Sequence, residues 1–161
     1  MSPAPRRRVA ARVVLLDDLD RVLLFRGFDP ADAGAGSWWF TPGGGVDSEE
    51  SLEQAARREL VEETGIRDVN LGPRVWTRLA QFSFEGVEYE QREWFFVART
   101  EQRAVDTSGF TDYEQRSMTD HRWWSVDELR HSDEVVWPRD LALLLAALLT
   151  AGPPAAVLEI D

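Results

Sequence analysis

Three glutamates, Glu59, Glu62 and Glu63, are the residues of this chain whose type and spacing could do chemistry. On an α-helix, residues three and four positions apart lie on one face. At about 100° per residue, Glu62 and Glu63 fall within roughly 60° of Glu59. Carboxylate oxygens gathered in this way suit a hard divalent cation. The spacing therefore predicts a site that holds a divalent metal.

The helix that would carry these glutamates has its apolar residues on the same face. Leu52, Ala55 and Ala56 also fall within roughly 60° of Glu59. A helix that turned its acids to water would carry its apolar residues on the other side. We therefore expect the carboxylates to face the protein or a cleft beside it, where burial is costly unless a positive charge compensates.

Three simpler explanations of the acidic cluster compete with a catalytic metal site. Acidic helical runs usually face water, although the shared apolar face argues against that here. Arg57 and Arg58 could pair with the acids, but two arginines cannot neutralise the whole cluster from their side of the helix. Calcium could serve only to stabilise the fold, and an adjacent glycine-rich loop argues against this.

That loop, Pro42 to Gly45, follows a short aromatic segment, Trp38 to Thr41, which predicts a strand. Glycines allow backbone conformations closed to other residues and let peptide groups approach a ligand. Asp47 or Ser48 is predicted to cap the helix, with Glu50 in capping-box register after Asp47. Gly65 is predicted to end the helix in a left-handed conformation. Loop and helix would then form one rigid unit.

From Gly44 to Ile66 the chain resembles, position by position, the signature of the Nudix hydrolases. The approach to this box, Trp39 to Gly43, also resembles the family, with Thr41 where an aliphatic residue is commoner. The resemblance implies an α/β fold in which a mixed β-sheet is sandwiched between helices (α/β/α). All fixed positions of the signature are present, namely Gly44, Glu50, Arg58, Glu59, Leu60, Glu62, Glu63, Gly65 and Ile66.

The activity that the resemblance implies is a pyrophosphohydrolase with Mg²⁺ or Mn²⁺ as cofactor. Water would attack phosphorus in a nucleoside diphosphate linked to another moiety, such as a nucleoside triphosphate, a nucleotide sugar or a dinucleotide. Glu62 and Glu63 would be metal ligands, and Glu59 would be a ligand or the general base. Arg58 would orient Glu59 by a charge-assisted hydrogen bond.

Other residues of the box have less direct roles in this comparison. The backbone carbonyl of Gly43 or Gly44 could supply one more oxygen ligand. Glu50 would be structural and tie the loop to the helix. The main alternative is a nucleotide-sensing module that keeps the fold and binds without cleaving. Such modules usually lose box carboxylates, whereas this chain keeps them all.

Members of the family often use a further acid from a downstream loop. Glu114 is the first candidate for this catalytic role and Asp112 the second. Glu90 or Glu93, on the preceding predicted strand, is the third. Acids on surface loops are ordinarily just solvated, so the residue types alone do not decide among them.

Two substrate-binding residues are also predicted. Arg26 follows an apolar strand and could meet a phosphate, although an exposed surface arginine is the simpler account. Neighbouring strand residues point to opposite faces, so the pair Trp38 and Trp39 should place one ring in the core and offer the other to solvent or a base. Trp39 is the residue we name as a possible lining residue, with core packing as the default.

Length and composition limit the remaining possibilities. The 161 residues fit a single domain, residues 1–161, with tails expected at 1–7 and 153–161. A net charge of −11 argues against a long nucleic acid as partner and favours a small nucleotide. No stretch reaches the length of a membrane span. The absence of cysteine is compatible with a cytoplasmic location, and a homodimer is an open possibility.

The rest of the chain predicts the elements that would position the site. The strands Arg8–Leu16 and Arg21–Phe25 are expected to form one hairpin. A second hairpin is expected to turn at Glu85-Gly86, which is a good two-residue turn signal. Ala104 to Asp120 is polar and without periodicity, so we predict a loop that could enter a site. The other predicted elements are strands over Arg8–Leu16, Arg21–Phe25, Leu71–Phe84, Val87–Arg99 and His121–Ser125, a helical turn over Val126–Arg130 and a helix over Pro138–Ala151.

Overall fold

The computed structural model describes residues 1–161 as one mixed β-sheet with helices on both faces. The helices are α1 Leu52–Thr64, α2 Asp112–Ser117, α3 Val126–His131 and α4 Leu141–Ala151. The strands are β1 Arg6–Leu16, β2 Val22–Phe28, β3 Ser37–Phe40, β4 Gly43–Gly45, β5 Asn70–Phe84, β6 Val87–Arg99, β7 Met118–Trp124, β8 Val136–Trp137 and β9 Leu158–Ile160.

The sheet has the order β8-β3-β2-β1-β6-β5-β9, with β4 paired to β1 and β7 paired to β2. The pairs β1–β6, β3–β8 and β5–β9 are parallel and the others antiparallel. Long strand β1 therefore has β6 on one side and, on the other, β4 along its middle and β2 at its end. After its pairing with β1, β4 ends at Gly45, and the loop that leads into α1 begins there.

Residues of β1 alternate between two hydrophobic clusters, one on each face of the sheet. Val13 and Leu15 pack with Ala55, Ala56 and Leu60 of α1. Val14 and Leu16 belong to the other cluster, which includes Leu141, Leu145 and Leu148 of α4. This alternation is what a strand buried on both faces requires. The predicted mixed sheet between helices is confirmed.

Both predicted hairpins are confirmed. The second one, β5–β6, turns at Glu85 and Gly86, whose φ values of 48° and 77° suit a two-residue turn. The other predicted strands and helices are also found, with ends shifted by a few residues, as is usual for ends read from sequence. The predicted loop over Ala104–Asp120 is wrong in part, because it contains α2 and the start of β7.

Helix α1 begins later than predicted. Its N-cap is Ser51, which forms a capping box with Gln54, so the prediction of Asp47 or Ser48 is wrong. The Asp47 amide instead donates to the Glu50 carboxylate and closes the turn just before the helix. The predicted end is confirmed, since Gly65 adopts a left-handed φ of 71° and its amide donates to Val61.

The two predicted tails are partly wrong. Strand β1 already begins at Arg6, because its parallel pairing with β6 continues back to Tyr89. At the other end, residues 158–160 form β9 and pair with β5 from Trp76 to Arg78. An otherwise open edge of β5 gives this short segment the backbone partners that its sequence does not announce.

None of the helices is both long enough and apolar enough to cross a membrane.

Candidate functional site

Three carboxylates meet where β4 runs into α1. One ligand oxygen from each of Glu59, Glu63 and Glu114 lies within 4.8 Å of the others. Glu59 and Glu63 are only 8% and 2% exposed, and Glu114 is half-buried. The prediction that the acidic face of α1 turns inward is confirmed. We call these three residues the carboxylate trio.

Glu114 reaches the trio because the segment before α2 packs on the end of α1. The Asp106 amide donates to the Thr64 carbonyl at 2.8 Å. Thr111 then caps α2 and forms a capping box with Glu114. The structure thus brings together the first-choice downstream acid and the box glutamates, across a long separation in sequence.

Arg58 links the glycine loop to the acids. Its guanidinium donates to both Glu50 oxygens at 2.7 and 2.8 Å, to Glu59 at 3.0 Å and to Glu62 at 3.2 Å. It also donates to the Gly45 carbonyl at 3.0 Å. The hydrogen bond from Arg58 lowers the pKa of Glu50 to about 2. Glu50 therefore anchors Arg58 and ties the loop to the helix, while Arg58 orients Glu59.

A second tether holds Glu63. The Gly43 amide donates to Glu63 at 2.9 Å, and the Gly43 carbonyl accepts from Arg12 of β1 at 3.1 Å. The single residue Gly43 therefore lies between a buried carboxylate and a guanidinium. Arg12 is not among the site residues predicted from the sequence. Its only signal there is that it is a cation inside the apolar run of β1.

The trio carries more negative charge than its surroundings neutralise. Burial raises the pKa of Glu63 well above its usual range, and nearby Glu59 and Glu114 raise it further. Burial also raises the pKa of Glu59, although Arg58 acts in the opposite direction. Three converging carboxylate oxygens, two of them from buried side chains, fit a hard divalent cation such as Mg²⁺ or Mn²⁺.

The raised pKa of Glu63 makes a prediction for the metal-free protein. The folded state binds more protons than the unfolded state between about pH 4.3, the ordinary glutamate value, and the raised value. This contribution to stability is present at low pH and is lost as the pH rises through the folded-state pKa. In a chelator, Glu63→Gln should therefore raise the melting temperature at neutral pH and leave it unchanged in acid.

Thermal melts across this pH range, with and without Mg²⁺, measure that effect. Mg²⁺ should stabilise the wild-type protein and have little effect on Glu63→Gln. Glu49→Gln, at an exposed residue, is the matched control and should follow the wild type. If the melting temperatures of the wild type and Glu63→Gln differ by the same amount at every pH, the assignment of an uncompensated charge to Glu63 is contradicted.

A cavity of about 680 Å³ opens beside the trio. The trio lies at one side of it, and arginines from β1 and β5 lie on the sheet that forms its floor. Aromatic rings supply much of the remaining wall. Its arginines are Arg8, Arg12, Arg58 and Arg78, and its aromatic residues are Phe28, Trp38, Phe40, Phe82, Phe84, Phe95, Tyr113 and Trp137.

The two predicted substrate-binding residues do not line this cavity. Trp39 is 3% exposed and packs edge-on against Trp124 in the core on the α4 side, so it is not a lining residue. Trp38, its neighbour, points the other way and lines the cavity. Arg26 lies opposite Trp39 in the strand pairing and donates to Ser37 at 3.0 Å, which keeps it away from the site.

The other predicted acids lie outside the trio. Glu62 is paired with Arg58 and more exposed than Glu59 and Glu63, because it sits at the outer side of the helix face. Asp112 is exposed at the start of α2, and Glu90 pairs with Arg7. Glu93 is buried between Arg12 and Arg78. Arg78, like Arg12, is a cavity residue that was not predicted from the sequence.

The fold and this site together place the chain among known proteins. Residues 6–145 match the NUDIX domain, and the chain belongs to that family. Its fold resembles the MutT protein from Methanosarcina mazei Go1, with a TM-score of 0.69 and 20% identity over 92% of this chain and 99% of that one. It also resembles dihydroneopterin triphosphate pyrophosphohydrolase from E. coli, with a TM-score of 0.60 and 20% identity over 88% and 95%.

Curated relatives are named RNA pyrophosphohydrolase. The protein of that name from Caulobacter vibrioides NA1000 is 48% identical over 67 residues, which is 42% of this chain and 37% of the relative. A second, from the Wolbachia of Brugia malayi, is 28% identical over 134 residues, 76% of this chain and 77% of the relative. The match thus spans little more than a third of the Caulobacter protein.

Proposed function

We propose that this protein is a divalent-metal-dependent pyrophosphohydrolase. It cleaves a nucleoside diphosphate linked to another moiety, by attack of water on phosphorus. The observation that carries the proposal is the carboxylate trio, whose ligand oxygens converge within 4.8 Å beside a cavity lined by arginines and aromatic rings. Membership of the NUDIX family supports the same reaction class.

Glu59 and Glu63 are the residues that would hold the metal. Glu59 is oriented by Arg58, and Glu63 by the Gly43 amide, so neither must be ordered at the moment of binding. A bound divalent ion would neutralise phosphate oxygens and lower the pKa of a water molecule. Glu62 is a weaker ligand candidate, because its carboxylate is more exposed than that of Glu59 and lies outside the carboxylate trio. Backbone carbonyls of Gly43 and Gly44 remain candidates for further oxygen ligands.

Glu114 is the residue we assign to proton transfer. It lines the cavity. Its amide donates to the Thr111 hydroxyl and its Oε1 accepts from the Thr111 amide, so both its backbone and its carboxylate are held at the start of α2. No arginine pairs with its carboxylate. As the water oxygen bonds to phosphorus and the anhydride P–O bond breaks, the proton of the water passes to Glu114. The leaving phosphate departs with the electron pair.

The substrate is proposed at the level of a nucleotide with a phosphoanhydride bond. Aromatic rings such as Trp38 can stack on a base, while the arginines can meet phosphates. Because relatives are named RNA pyrophosphohydrolase, the triphosphate end of an RNA is a further candidate substrate. The net charge of −11 opposes contacts with the phosphates of a long RNA. A mononucleotide and an RNA end therefore belong in the same assay.

A panel of phosphoanhydride substrates in isotopically labelled water tests this function. The panel contains nucleoside triphosphates, nucleotide sugars, dinucleotides and a short RNA with a triphosphate end, each with Mg²⁺ or Mn²⁺. We expect metal-dependent cleavage of at least one, with the label in a phosphate product. Stabilisation by one ligand without cleavage of any would instead indicate a nucleotide-sensing module.

A further inference from the structure

Two arginines on the floor of the cavity share one buried carboxylate. Arg12 donates to Glu93 at 2.8 Å, and Arg78 donates to the other oxygen of Glu93 at 2.8 Å. All three side chains are largely buried, with exposed fractions of 15% for Arg12, 12% for Arg78 and 3% for Glu93. Burial alone would raise the pKa of Glu93, but the two arginines lower it below its ordinary value, so it is ionised.

Both guanidinium groups are held in place on further sides. Arg12 donates to the Thr41 and Gly43 carbonyls at 3.4 and 3.1 Å. Arg78 lies over the ring of Trp137, with its guanidinium carbon 5.4 Å from the ring centre. Such fixed guanidinium groups lose little conformational freedom when they bind an anion.

Each arginine keeps one terminal nitrogen for a ligand. Nη2 of Arg12 and Nη1 of Arg78 have no hydrogen-bond partner within the chain. Both nitrogens are accessible, since neither is among the buried side-chain nitrogens that lack a partner. Both side chains line the cavity. The free donors therefore open on the cavity.

The charges around these arginines do not balance. Two guanidinium groups face one carboxylate, which leaves one positive charge in a largely buried place, and such a charge is costly without a partner. The trio is the nearest other source of negative charge for Arg12, through the Gly43 peptide. A divalent cation on the trio would offset that source. An anion on the cavity side would then complete the pairing.

We infer that Arg12 and Arg78 form a binding subsite for a phosphate group that is not attacked. Because Arg12 and Glu63 bind the carbonyl and the amide of the same residue, Gly43, this subsite takes the phosphate next to the one at the trio. The inference rests on the proposed function, since it places the second phosphate of the same substrate. Glu93 is a positioning residue in this arrangement, because it holds both arginines and does not itself contact the substrate.

The test measures binding of methylenediphosphonate, a pyrophosphate analogue that water does not cleave, by calorimetry with Mg²⁺ present. Arg78→Gln is expected to weaken its binding at least tenfold. Arg78→Lys should weaken it less, because lysine keeps the positive charge but lacks the several planar N–H donors of the guanidinium group. Arg92→Gln is the matched control. Arg92 lies next to Glu93 on β6, pairs with Glu159 outside the cavity, and carries the same charge.

Two outcomes would overturn the inference. One is equal affinity of Arg78→Gln and Arg92→Gln for the analogue, and the other is Arg78→Lys binding as tightly as the wild type when Arg78→Gln is unfolded. The proposed function fails separately. If the substrate panel shows no cleavage while Arg78→Gln loses binding, the subsite stands without catalysis. If nucleotides are cleaved and their KM is unchanged in Arg78→Gln, the reaction stands without the subsite.

Discussion

Replacing Glu63 or Glu59 with glutamine is expected to lower kcat by about 10²–10⁴-fold while the protein stays folded. Glutamine keeps the shape of the side chain and can still accept from the Gly43 amide or from Arg58. It removes the negative charge, on which the affinity for a divalent cation depends. The variants should therefore lose activity because they bind the divalent cation weakly, while the packing of α1 is preserved. Steady-state kinetics over a range of Mg²⁺ concentrations, alongside thermal melts, measures both effects.

The matched control for these variants lies on the same helix. Glu53 is an exposed residue in the first turn of α1, so Glu53→Gln removes the same charge away from the trio. We expect its kcat to equal that of the wild type. Near-normal turnover in both Glu59→Gln and Glu63→Gln would remove the trio from the mechanism, whatever the substrate is.

The central part of the site could be predicted because it is local. Glu59 and Glu63 share one helix face with Leu52 and Ala55, so the helical period alone shows which way the acids face. The loop and the helix stop are also read from neighbouring residues, since each depends on backbone conformations that few residues adopt. The one local error, at the N-cap, arose because Asp47 and Ser51 are both good caps and only the length of the turn decides between them.

The rest of the site depends on contacts between residues far apart in the chain. Glu114 joins the trio only because the segment before α2 packs on the end of α1. Arg12 and Arg78 meet across Glu93 because three strands, β1, β6 and β5, are neighbours in the sheet. Trp38 and Trp39 show the same limit, because alternation places their rings on opposite faces without telling which face lines the cavity.

Alanine substitutions at Gly43, Gly44 and Gly45 are expected to have three different effects. At Gly43, φ is 141° and an added Cβ would lie 2.1 Å from the Ala11 carbonyl oxygen. Since that neighbour is the backbone of central strand β1, Gly43→Ala should destabilise the protein by about 2–4 kcal/mol. At Gly44, the added atom would lie 2.6 Å from a Glu59 carboxylate oxygen, which can move aside.

Gly44→Ala should therefore fold and lose turnover, because the displaced Glu59 leaves the position in which Arg58 holds it. At Gly45 an added Cβ meets nothing within 4 Å, so Gly45→Ala is the control and should keep both stability and turnover. Denaturant unfolding and kcat are measured on all three proteins. Stability of Gly43→Ala equal to that of Gly45→Ala would contradict the close approach of β4 to β1. Full turnover in Gly44→Ala would show that the position of Glu59 does not limit the reaction.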